Sequence, residues 1–101
     1  SPLVIYQFPK TGGASYSSGK FLVQVKNNGQ IETAEMVLVQ NSSSDAQITV
    51  FGTTSSPASM NAAPLLGTFD TQINNSTGNV ELRFTQSVSN SSVTVVANLI
   101  K

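Results

Sequence analysis

Five carboxylates, five cations and many hydroxyls are the groups in this chain that could carry chemistry. There is no Cys and no His, which removes thiolate nucleophiles, the imidazole base and most zinc, copper and haem sites. The loop Gly12-Gly13-Ala14-Ser15-Tyr16-Ser17-Ser18-Gly19-Lys20 invites comparison with a phosphate-binding loop. That motif needs four residues between its first Gly and the Gly-Lys pair, a following Ser or Thr, and a helix. Here the spacing from Gly13 is five, Phe21 follows Lys20, and the loop leads into a strand pattern. A serine nucleophile would need Lys or a carboxylate as its base, and no Gly-x-Ser-x-Gly elbow is present.

The carboxylates Glu32, Glu35, Asp45, Asp70 and Glu81 are scattered. Catalysis by paired carboxylates needs two of them facing each other across a cleft, and calcium needs several clustered oxygens. Glu81 reads as the outward partner of Arg83 in a cross-strand charge pair. Asp45 reads as a turn residue, and Asp70 as an outward residue bonding a nearby loop. Lys10, Lys20, Lys26, Arg83 and Lys101 do not cluster, so no nucleic-acid surface is expected. Phe21, Phe51, Phe69 and Phe84 fall within strand patterns and read as core. Tyr16, in a Gly/Ser loop, reads either as a lid packed over a sheet end or as a stacking platform for a sugar. Asn41, Asn74, Asn75 and Asn90 each open a glycosylation pattern, which matters only in a eukaryotic secretory pathway.

The elements that must position these groups are strands. The chain has 101 residues, which is one domain (1–101), able to bury roughly 60–70% of its unfolded surface. Charged residues are 10% and the net charge is zero, while Ser, Thr, Asn and Gln make up 41 positions. This neutral polar composition, with abundant Val and Thr, leans towards all-β modules that work outside a cytoplasm. The absence of cysteine fits either a reducing compartment or an exported fold that needs no staple. No basic start with an apolar stretch and cleavage site is seen, and the longest apolar runs are far below the ~20 residues of a membrane helix. The chain begins at Ser1 rather than Met, which points to processing or to a piece of something longer.

Alternation dominates the apolar pattern. It predicts strands at 3–8, 20–26, 30–40, 46–51, 66–73, 80–85 and 93–100. Asn27-Asn28-Gly29 marks a hairpin turn. Ala34 and Glu35 make a short helix conceivable, but Val37 and Val39 favour a strand. Residues 53–65 form the one long connection, with two prolines. Seven strands with regular turn signals fit an antiparallel β-sandwich. Residues 93–100 are apolar on both faces, which suggests a strand covered on both sides. So little charge protects exposed edges poorly, so a partner is expected to cover some edge or face.

The run Tyr16-Ser17-Ser18-Gly19-Lys20-Phe21-Leu22-Val23-Gln24-Val25 resembles a recurring segment of virion structural proteins of tailed bacteriophages, especially marine and cyanobacterial ones. After it come a Glu-bearing strand (Glu35 to Val39), an Ala-x-Ile-Thr-x-aromatic-Gly segment (Ala46 to Gly52), a Leu-Gly-Thr-Phe-Asp segment (Leu66 to Asp70) and a Gly-x-Val-x-Leu strand (Gly78 to Leu82). A Val-rich last strand completes the order, which covers about Tyr16 to Ile100. Two features depart from the pattern. Gln40-Asn41-Ser42-Ser43-Ser44 stands where such proteins often carry a His-Asp or His-Asn turn, and the 53–65 connection is longer and richer in Pro. The resemblance implies an accessory virion domain of the tail-fibre, baseplate or capsid-decoration type.

The expectation is therefore a non-catalytic structural protein on the outer surface or tail of a virion. It needs no cofactor or metal, and it assembles with itself as a homo-oligomer or docks on other virion proteins. No nucleic-acid or membrane partner is expected. The candidate contact residues are Tyr16, Val93, Val95, Val96 and Leu99. The alternative is a carbohydrate-binding module contacting a host-cell glycan through Tyr16, the Ser/Asn loops and the 53–65 connection.

Overall fold

The structure, a computed structural model, describes residues 1–57 and 66–101. Within them are seven strands and no helix: β1 (Leu3–Pro9), β2 (Ser18–Asn27), β3 (Gln30–Gln40), β4 (Ala46–Ser56), β5 (Gly67–Asn74), β6 (Asn79–Gln86) and β7 (Ser92–Ile100). They form two antiparallel sheets, ordered β1-β6-β5 and β4-β3-β2-β7. The expected β-sandwich is what the chain adopts.

Pattern and turn chemistry explain most of this. β2 and β3 pair from Asn27↔Gln30 to Ser18↔Val39 with no register shift. Asn28 and Gly29, the two residues between them, both take positive φ, 46° and 82°. That geometry matches the right-handed twist of the paired strands, and glycine adopts it without a steric penalty. With the register set, period-two alternation sends Phe21, Val23 and Val25 of β2 and Ala34, Met36 and Leu38 of β3 to one face, all buried. Phe8 of β1 and Val80, Leu82 and Phe84 of β6 meet them from the other sheet. Edge-on rings join the layers, with Tyr6 and Phe21 at 5.3 Å between centroids.

Four sequence expectations need correction. The strand at 46–51 does not stop at Gly52. It continues to Ser56 by way of a bulge, because the pairing moves from Met36↔Val50 to Glu35↔Gly52 and leaves Phe51 as the extra residue. Phe51 is consequently not core: it points out and is 52% exposed. The last strand is not covered on both sides. β7 is an edge strand bonded only to β2, with Val93, Val95, Ala97 and Leu99 half-buried on the inner face and Val96 and Ile100 exposed on the outer one. Of the 53–65 connection, 53–56 belong to β4, and 58–65 lie outside the described residues.

Candidate functional site

The two broad outer faces of the sandwich differ in chemistry. On the three-stranded sheet the pairing places Gln7, Glu81 and Gln72 in one row across β1, β6 and β5. Glu81 does face outward, but it is only 5% exposed and does not pair with Arg83. Its carboxylate accepts from Gln72 Nε2 at 2.8 Å and Asn74 Nδ2 at 3.3 Å, so neighbouring amides cover it. Arg83 instead forks onto Asp70 across the β5–β6 pair, with Nε to Oδ1 at 2.9 Å and Nη2 to Oδ2 at 2.7 Å. Asp70 thus bonds a strand neighbour rather than a loop. The bidentate bond to Asp70, with the nearby charges of Asp70 and Glu81, raises the Arg83 pKa against a smaller opposing effect of burial. The polar groups of this face satisfy one another.

The outer face of the four-stranded sheet sets large apolar side chains among polar ones. Across its strands run the rows Val39–Ser18–Ile100, Val37–Lys20–Asn98 and Glu35–Leu22–Val96. Phe51 extends the patch at the β4 side, where the Lys20 ammonium lies 5.6 Å from its ring. Leu22, Val37, Val39, Phe51, Val96 and Ile100 are all exposed. Their charged neighbours are an opposite pair, Lys20 Nζ to Glu35 Oε2 at 3.5 Å. Soluble monomers rarely leave so broad an apolar surface open.

Of the residues singled out from sequence, the structure places Val96 on this outer face. Val93, Val95 and Leu99 back it from inside, packed on the core. Tyr16 lies elsewhere, at the end of the sandwich, its ring edge-on to Phe8 at 5.6 Å. It closes that end of the core as a lid, the plainer of its two sequence readings. Leu22, Val37, Val39, Phe51 and Ile100 were missed. The signal that could have found Leu22, Val37 and Val39 was their phase, even-numbered in β2 and odd-numbered in β3, opposite to the core residues.

Around Tyr16 three separate segments meet: Lys10–Ser17, Gln40–Ser42 and Lys101. Gln40 ties them together. Its Nε2 donates to the carbonyls of Lys10 at 3.2 Å and Tyr16 at 2.9 Å, and its Oε1 accepts from the Ser42 N–H. Its own N–H donates to Ser17 O at 3.1 Å. The result is a cleft of about 350 Å³.

All five carboxylates have a structural partner. Glu32 is 7% exposed and accepts from Gln30 Nε2 at 3.0 Å, Ser55 Oγ at 2.9 Å and the Leu66 N–H at 2.7 Å. Glu35 pairs with Lys20, Asp70 with Arg83, and Asp45 accepts from Gln47 Nε2 at 2.8 Å in the turn where it was expected. Among the described residues no group of three acidic side chains lies together as a metal site. A scan against protein-family models finds no match, and searches of curated proteins and of solved structures find none either.

Proposed function

We propose that the chain is a non-catalytic assembly module of a virion, and that it pairs with a second copy of itself through the outer face of the four-stranded sheet. The observation that carries the pairing is the set of exposed apolar side chains Leu22, Val37, Val39, Phe51, Val96 and Ile100 gathered on this one face, while the opposite face is dominated by bonded amides and an ion pair. The virion setting rests on the sequence resemblance described above. The engagement of every carboxylate in a structural bond supports a non-catalytic role.

A second copy suits this face on two grounds. The first is charge. The chain is neutral overall, so whole copies carry no net repulsion, and at the centre of the face Lys20 and Glu35 stand side by side, with Lys26 further along β2. A two-fold axis through the patch lets Lys20 of each copy approach Glu35 of the other. The second is area. Four strands ~4.8 Å apart and nine residues at ~3.3 Å each give a flat footprint of about 600 Å² per copy. Both copies together bury about 1,200 Å², the lower end of stable specific interfaces. Area does not fix affinity, so the concentrations to scan run from about 1 μM to about 1 mM.

The test is sedimentation equilibrium of the intact chain across that range, with amide chemical shifts followed on dilution. A reversible dimer with shifts confined to the outer residues of β2, β3, β4 and β7 is the expected result. A strict monomer at about 1 mM overturns self-pairing. A dimer whose shifts fall on the three-stranded sheet overturns the assignment of the face.

A further inference from the structure

The cleft at the end of the sandwich is separate from the assembly face, and its chemistry points to a ligand. It is walled by Lys10, Thr11, Ser15, Tyr16, Ser17, Gln40, Ser42 and Lys101, with Gly12 at its rim, and no carboxylate side chain lines it. Its volume of about 350 Å³ leaves room for a single sugar ring together with several waters. The volume also falls within the range of small-molecule sites.

The polar groups of the cleft are of two kinds. Gln40 is spent on the scaffold, bonded to two carbonyls and one N–H. Such a fully bonded amide holds the walls in place before any ligand arrives. By contrast, the side-chain hydroxyls of Thr11, Ser15, Ser17 and Ser42 enter no hydrogen bond within the described residues. They offer both donors and acceptors to a visitor. The two ammonium groups are held but not neutralised. Lys10 Nζ donates to Asn75 Oδ1 at 2.9 Å and Ser43 O at 3.3 Å, and Lys101 Nζ donates to Gly13 O and lies 5.1 Å over the Tyr16 ring. Neutral oxygens, and no carboxylate side chain, position both lysines.

We infer that this cleft binds a carboxylate-bearing sugar, its anionic group between Lys10 and Lys101 and its hydroxyls on the free serines and Thr11. A neutral sugar would use the hydroxyls and leave both cations unanswered. A small inorganic anion would meet the cations and leave most of the cleft and its hydroxyls unused. Only a ligand with both an anion and several hydroxyls matches the whole lining.

The test is a titration of the intact chain with glucuronic acid, followed by amide chemical shifts, beside glucose and inorganic phosphate. Glucuronic acid is expected to bind in the millimolar range, with shifts confined to 10–17, 40–43 and Lys101. Glucose and phosphate are each expected to bind at least tenfold more weakly. Lys10→Gln and Lys101→Gln should each weaken glucuronic acid about tenfold while leaving the dimerisation constant unchanged. Equal binding of glucose or of phosphate overturns the assignment of ligand class. No shifts in the cleft at about 20 mM glucuronic acid overturns the site itself.

Discussion

Glu32→Ala tests the polar interior of the fold. The Glu32 carboxylate is buried between β3, β4 and the start of the segment leading into β5, and it accepts three hydrogen bonds. Truncation removes them all and leaves donors behind. The Leu66 N–H sits in a residue 3% exposed and the Gln30 amide in one 9% exposed, so neither gains ready access to water. Each orphaned buried donor costs about 1–3 kcal/mol, which gives a loss of about 4 kcal/mol without counting Ser55. Against a total of about 5–15 kcal/mol for a domain, that is a large share. Urea denaturation followed by circular dichroism reads the loss directly, and at a slope of ~1.3 kcal/mol per molar the midpoint falls by about 3 M. Glu35→Ala is the control, because its bond to Lys20 is exposed and is worth at most about 0.5 kcal/mol. If Glu32→Ala shifts the midpoint no more than Glu35→Ala, the carboxylate does not hold that end of the sandwich and the reasoning fails.

Three further outcomes follow from the same structure. Val96→Lys removes about 1 kcal/mol of apolar burial and places an ammonium in the proposed contact. Because a two-fold interface contains the change twice, sedimentation should show the dimer weakened by about 10³-fold, with the monomer still folded. Gly67→Ala should lower the urea midpoint by the equivalent of about 2–3 kcal/mol, since an added Cβ would strike the Phe84 ring and the Thr85 carbonyl. Arg83→Gln should cost no more than about 1 kcal/mol in the same assay, because the Asp70 partner is half exposed and water replaces the bond.

Strand positions were legible because alternation and turn residues are local signals. The Asn28-Gly29 turn and the inward set Val80, Leu82 and Phe84 both read directly from the chain. What was not legible depended on neighbours distant in sequence. Phe51 looked like core because it is aromatic and lies in a strand, yet the bulge that sets its direction is defined by pairing with Met36 and Glu35. Glu81 was read correctly as outward and wrongly as the partner of Arg83, because the amides that hold it and the Asp70 that takes Arg83 belong to β5. The two-sided apolar pattern of β7 suggested cover on both sides, whereas strand order puts it at an edge. Of the end cleft, Tyr16 and its Ser loop were legible, whereas Lys10, Gln40 and Lys101 join them only once the sheets have formed.

The contrast between the two broad faces also sets how far assembly can grow. A slab with two apolar faces would stack without limit, each added copy presenting a fresh surface for the next. Here the reverse side is occupied by the Gln7–Glu81–Gln72 row and the Arg83–Asp70 fork, with Val4 as its exposed large apolar side chain. Once two copies close face to face, both ends of the stack are polar and growth terminates. In the proposed pairing the amide and ion-pair ladder would act as a chain stopper, holding a surface that could seed a fibre to a count of two.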